Sequence, residues 1–229
     1  THTCTFTTAM LPVFVVTVLA LLVALSGCAA SANPLVAEKA ALDALFATTH
    51  GSSWLEASGW NGPDVCMYAG VRCGNATTDD GAVHVVELRL SNNGLTGSLP
   101  SEAAAWALPE LLVLDLSANR MEGTLPGVWA SAMPKLVEIN VGGEALPDEA
   151  IWASMSLIAK YFFHTKVYSS NLLTGPLPPE WGSLSSLRRL VLTTGGPASG
   201  AGLEGNFPPS WSGMTSLKVV FASQSGLGG

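Results

Sequence analysis

One leucine-based sentence, closing on a proline, recurs along the chain and restricts it to a narrow set of folds. A first copy reads Val85-x-x-Leu88-x-Leu90-x-x-Asn93-x-Leu95-x-Gly97-x-Leu99-Pro100. The next reads Leu111-x-x-Leu114-x-Leu116-x-x-Asn119-x-Met121-x-Gly123-x-Leu125-Pro126. Asn171, Leu173, Gly175, Leu177 and Pro178 repeat the order, and Leu203, Gly205, Phe207 and Pro208 repeat it again. A unit of about 24 to 26 residues is too small to bury its own apolar side, so successive units must stack as coils of a solenoid. The phase runs on without a linker, so the repeats form one continuous array.

Each part of the unit has an expected task. The Leu-x-Leu core alternates as a short strand with one buried face, so in Leu88-Arg89-Leu90 the leucines point inward and Arg89 outward. Asn93, Asn119 and Asn171 carry both donors and an acceptor, which suits them to satisfy backbone groups as a ladder inside the coils. Gly97, Gly123, Gly175 and Gly205 fall where a sharp bend calls for positive φ. Trp129, Trp181 and Trp211 each follow the repeat proline by three positions, and are expected to fill the convex side. Two stretches break the pattern. After Leu136-x-x-Ile139-x-Val141, Glu144 stands at the asparagine position, and a fourth copy would put Lys166 and Tyr168 at inward positions. After Leu187-x-x-Leu190-x-Leu192, about six extra residues enter within 195–202 as a solvent loop.

Ahead of the repeats, residues 1–37 contain no Lys, Arg, Asp or Glu. Leu11 to Leu25 is almost wholly apolar, and Ala30-Ser31-Ala32 offers a cleavage site. Residues 1–32 are therefore expected to be a signal peptide or a hydrophobic anchor. Leu25-Ser26-Gly27-Cys28 also fits a bacterial lipidation box, although no basic residue precedes it. Asn33-Pro34 then starts a helix as N-cap and first-turn proline. Leu35, Leu42, Leu45 and Phe46 lie on its apolar face, and Gly51 supplies its stop. Cys66 and Cys73 are the pair left once the presequence is removed, and are expected to form a disulfide. It would contribute a little under about 3 kcal/mol and implies an oxidising compartment. Asn75-Ala76-Thr77 is a glycosylation sequon.

The helix, the tryptophans, the Cys66-x6-Cys73 segment and the Leu-x-x-Asn-x-Leu-x-Gly-x-Leu-Pro repeats together resemble the plant-type leucine-rich repeat family with its N-terminal cap. The Leu-Pro-x-x-Trp phrasing also looks like that of kinetoplastid surface antigens. The resemblance implies an α/β solenoid: a right-handed leucine-rich repeat superhelix with a parallel concave sheet and a helical N-terminal cap over residues 33–80. About six repeats, the last incomplete, would occupy residues 81–229. It further implies that ligands meet the concave face or a flank, in receptor-kinase ectodomains, inhibitors of pathogen enzymes and surface antigens.

Chemistry does not assemble. His2, His50, His84 and His164 have no metal-ligand spacing, and no nucleophile elbow, phosphate loop or zinc-protease motif is present. No catalytic residue, cofactor or metal is expected. Glu87, Asp115 and Glu138 align on neighbouring strands, where solvated charges are expected rather than a carboxylate pair. A net charge of −7 without basic runs argues against nucleic acid and against anionic membrane surfaces. Any membrane link would come through an N-terminal anchor or a segment beyond residue 229. Recognition should use outward strand positions: Glu87, Arg89, Asp115, Glu138, Asn140, Val167, Arg189, Val191 and Phe221. This face begins polar and turns apolar, as a partner site does. The first reading is a non-enzymatic secreted or cell-surface module binding protein, peptide or glycan. The others are a receptor-kinase ectodomain and a structural coat or wall protein.

Overall fold

A computed structural model describes residues 34–75, 82–143, 171–193, 202–222 and 226–228. The presequence, Asn33, Val167 and the inserted stretches lie outside the described residues. The described chain opens with the helix Pro34–Thr48, followed by β1 (Val71–Asn75) and β2 (Val83–Arg89). Then come β3 (Thr96–Ser98), β4 (Val113–Asp115), β5 (Arg120–Thr124), β6 (Glu138–Asn140) and β7 (Leu172–Pro176). β8 (Arg189–Val191), β9 (Leu203–Asn206), β10 (Val219–Phe221) and β11 (Gly226–Gly228) complete it. No helix among the described residues is long and apolar enough to cross a membrane.

Two sheets result. The first has six strands in the order β1-β2-β4-β6-β8-β10, parallel throughout except where β1 runs antiparallel to β2. The second, not anticipated from the sequence, is a parallel ladder in the order β11-β9-β7-β5-β3. It contains the bend glycines, and Gly97, Gly123, Gly175 and Gly205 have φ of 82°, 88°, 82° and 86°. Gly97 is held to glycine for a second reason, because a Cβ there would run into the Thr48 carbonyl.

The asparagines form the expected ladder. Asn119 Oδ1 accepts from Asn93 N (3.0 Å) and Leu95 N (3.1 Å), and its Nδ2 donates to Leu90 O (2.8 Å). Asn171 Oδ1 accepts from Met121 N (3.1 Å), and its Nδ2 donates to Leu116 O (3.0 Å) and Val141 O (2.8 Å). Asn93 bonds back to Glu56 in the cap. These bonds correct the reading of separate third and fourth copies. β6 pairs directly with β8 at Glu138↔Arg189, Ile139↔Leu190 and Asn140↔Val191. The strand opened by Leu136-x-x-Ile139-x-Val141 therefore belongs to the coil that Asn171 and Leu173 close, and residues 144–170 stand as an insertion within that coil.

The cap docks through both apolar and polar contacts. Ala41, Leu42 and Leu45 are buried, and Leu35 and Phe46 pack against the same core. His50, not Gly51, takes the left-handed turn after the helix (φ 56°). Gly51 is small because a side chain there would meet the Phe46 ring. Phe46, Trp54, Trp60 and Tyr68 continue as an aromatic cluster with centroids 4.8–5.1 Å apart in sequence order. The buried Glu38 carboxylate meets His84 Nδ1 at 2.6 Å and accepts from Val85 N at 2.8 Å, tying the helix to β2. The Cys66–Cys73 disulfide is formed, with Cα atoms 5.5 Å apart.

On the opposite side the tryptophans build a column. Trp129 and Trp181 stack at 5.4 Å, and Trp181 and Trp211 at 6.1 Å, with planes 8° and 10° apart. Trp181 Nε1 donates to Pro126 O (3.0 Å) and Trp211 Nε1 to Pro178 O (2.9 Å), each reaching the repeat proline of the preceding coil. By that rule Trp129 should reach Pro100. Its place is taken by Trp106, which lies six positions after its own proline, heads the column edge-on to Trp129, and donates to Pro100 O at 2.7 Å. Trp129 Nε1 is consequently buried without a partner among the described residues. Trp181→Phe should therefore cost about 1 kcal/mol more than Trp129→Phe, because only the former strands a bonded carbonyl. Urea unfolding of both variants measures this, and equal losses would show that the Trp181–Pro126 bond contributes nothing.

Candidate recognition face

The six-stranded sheet displays two rows set by its register. One row runs Glu87, Val113, Glu138, Arg189 and Val219, with Arg72 of β1 opposite Glu87. The other runs Arg89, Asp115, Asn140, Val191 and Phe221. All the described residues read from the sequence as outward positions thus fall on one surface, polar at β2 and apolar at β10. Val167 lies outside the described residues, and so do the Asn75 side chain and the rest of its sequon.

Accessibility divides this surface. Arg72 and Arg89 present 61% and 45% of their side chains to solvent. Asp115, Glu138, Asn140, Arg189 and Val191 are all buried. The expectation of solvated carboxylates therefore fails for Asp115 and Glu138, and local chemistry accounts for much of it. Asp115 Oδ1 folds along its own strand to accept from Ser117 N (3.0 Å) and Ser117 Oγ (2.6 Å). Asn140 Oδ1 does the same with Gly142 N at 3.1 Å. These are side-chain turns that secure the strand ends, the task of Asp and Asn in such positions. Glu138 lies 3.6 Å from Arg189, and Val191 packs where Gly142 leaves room.

The charges respond accordingly. Burial raises the Asp115 carboxyl above the usual carboxylate range, against the pull of the Ser117 hydrogen bonds. Burial likewise raises Glu138, opposed by Arg189. For Glu87, burial pushes upward, but hydrogen bonds from Arg72 and Arg89 outweigh it and hold the carboxyl low. Arg72 Nη2 donates to Glu87 Oε1, and Arg89 Nε donates to Oε2 at 2.9 Å. The three aligned carboxylates are thus separately engaged and share no proton.

Sequence reasoning missed Arg72, because β1 precedes the repeats and its pairing with β2 carries no periodic signal. It also missed the groove of about 240 Å³ beside β2, lined by Leu55, Glu56, Gly70, Arg89, Ser91 and Asn92 among others. Leu55, 77% exposed, could have been noticed only as an apolar residue outside the repeat phase.

The Leucine Rich Repeat family model matches residues 84–105, the first full unit. The solved BIR2 ectodomain of Arabidopsis thaliana superposes with a TM-score of 0.55 at 23% identity, covering 82% of each chain. The chain carries leucine-rich repeats, and its fold is similar to that of the plant leucine-rich-repeat ectodomains. Among curated relatives, this leucine-rich-repeat protein is 38% identical over 72 residues to the receptor protein kinase WSS1 of Oryza sativa subsp. japonica, covering 31% of its own length. It is 29% identical over 131 residues, 56% of its length, to the receptor-like serine/threonine-protein kinase GSO2 of Arabidopsis thaliana. It spans only 7% and 8% of those two relatives.

The raised Asp115 carboxyl makes a prediction about this repeat protein. The folded state takes up that proton at higher pH than the unfolded chain, so ionised Asp115 subtracts stability at neutral pH. The penalty fades as pH falls towards the unfolded value. Asp115→Asn keeps an acceptor for Ser117 and removes the charge. Relative to the parent it should gain stability on the order of 1 kcal/mol near pH 7, and the gain should shrink towards about pH 4. Urea titrations across that range measure it; a pH-independent difference would sink the assignment.

Proposed function

We propose that this protein is the extracellular, ligand-recognising part of a cell-surface receptor or receptor-like protein, which docks a protein or peptide on its six-stranded sheet and performs no chemistry itself. The observation that carries the reading is the two-row surface: Arg72, Arg89 and part of Glu87 are accessible at one end, Val219 and Phe221 are part-exposed at the other, and Val113 is part-exposed between them. A stiff sheet with a charged end and an apolar end can fix both the register and the direction of an extended partner. The disulfide supports an oxidising compartment. The receptor kinases matched over 72 and 131 residues support an ectodomain role. In this reading residues 1–32 serve as a signal or anchor, 33–80 as the cap and 81–229 as the binding array.

The test is a screen of the full chain against a displayed library of extracellular peptides, followed by two classes of variant. Val113→Lys and Val219→Asp alter the proposed face, whereas Glu122→Ala and Glu204→Ala alter exposed positions of the second sheet. Binders should lose about tenfold or more in affinity with the first pair, equivalent to about 1.4 kcal/mol, and retain it with the second. Binders that respond only to the second pair would overturn the reading.

A further inference from the structure

Around Glu87 the charges are layered. One carboxylate, only 19% exposed, receives Arg72 from one side and Arg89 from the other, and both guanidiniums project beyond it into solvent. The other acids on the sheet near Arg89 (Asp115 and Glu138) are buried, and the exposed Glu56 belongs to the cap side of the adjoining groove. On the sheet at this corner of an acidic protein, a ligand therefore meets guanidinium donors before the carboxylate of Glu87. Arg89 uses Nε on Glu87 and Arg72 uses Nη2, which among the described residues leaves the Nη atoms of Arg89, and Nε and Nη1 of Arg72, for another acceptor. Glu87 sets the orientation of both forks in advance, reducing the entropy lost when a third group binds.

The adjoining groove supplies the second half of the site. Leu55 offers an apolar contact beside Arg89, while Ser91 and Asn92 contribute polar surface. Gly70 keeps the groove clear, since its φ of 82° and its contact with the Arg89 carbonyl leave no room for a side chain. Glu56 also lies on the groove, and its carboxylate is turned to Ser58, whose N–H it accepts at 2.9 Å.

We propose that Arg72 and Arg89 form a guanidinium clamp for an acidic side chain of a bound peptide, with Leu55 receiving the apolar residue next to it. A carboxylate is favoured because its two oxygens match the paired donors of a guanidinium. The clamp rests on the reading of the sheet as a recognition face and adds the class of ligand to it.

The probes are acetyl-Leu-Glu-Leu-Glu-amide and its glutamine counterpart, titrated into the full chain labelled with ¹⁵N-arginine. With the glutamate peptide, the Nε–H signals of Arg72 and Arg89 should shift saturably, while those of the exposed Arg120 and Arg188 stay in place. The glutamine peptide should leave all four unmoved. Arg89→Lys, which keeps the charge and loses the fork, should weaken binding about tenfold, as should Leu55→Ser to a smaller extent. Equal responses to both peptides, uniform shifts across all four arginines, or no shift at all would overturn the clamp. Library binders that need Val113 and Val219 but carry no acid and ignore Arg89→Lys would also overturn it, and would leave the recognition face standing.

Discussion

The buried carboxamide that Asn93, Asn119 and Asn171 supply to three successive coils is the interaction on which the remainder of this solenoid depends. A coil turning away from its strand leaves backbone N–H and C=O groups facing the interior, where water cannot satisfy them and each orphan costs about 1–3 kcal/mol. Asn119 answers two N–H groups of the preceding coil and carbonyls on both coils with one side chain, and Asn171 answers one N–H of the preceding coil and carbonyls on both coils. A leucine there would keep the apolar contacts and lose the backbone bonds. An aspartate would offer acceptors to carbonyls. The carboxamide thus sets the register between coils that the leucines alone would leave free to slip.

This explains how the array tolerates residues 144–170. The bond from Asn171 Nδ2 to Val141 O spans the insertion, and the bond to Leu116 O fixes the same side chain to the coil before it. Stacking needs only the strand and the asparagine to be in place, whatever length of chain joins them, because the entropy of closing a loop rises slowly with its length. The tryptophan column shows the opposite sensitivity. Its hydrogen bonds run from one coil to the proline of the previous one, so the displaced Trp106 takes the acceptor of its neighbour and the fault ends there. Trp181 and Trp211 return to the rule.

The sequence revealed what repeats. Inward leucines, bend glycines, asparagines and convex tryptophans each recur against the same neighbours, so one copy reports on the others. What it concealed was contact between parts with no common period. Glu38 and His84 are 46 positions apart and belong to different elements, and neither sits on the apolar pattern that places its element. Arg72 gains meaning only through the antiparallel pairing of β1 with β2. The irregular third copy misled for a related reason: matching by distance assigned Glu144 to the asparagine position, whereas the hydrogen bonds select Asn171. Asp115 was placed on the right surface and misjudged in environment, since alternation predicts the side of a sheet that a residue takes and is silent on whether it turns back to bond its own backbone.

That last distinction governs where this surface can act. Side chains that secure strand ends, as Asp115 and Asn140 do, are buried with one oxygen each committed to Ser117 or Gly142, which withdraws them from a partner. Arginine is under no such restriction, because its five donors cannot all be satisfied by a single carboxylate. Across the two register rows, Asp115 and Glu138 are drawn into the fold, while Arg72 and Arg89 at the margin keep donors unused among the described residues. On the proposed reading, the recognition chemistry of this array therefore concentrates where the non-repeating β1 strand brings a second arginine to the first repeat.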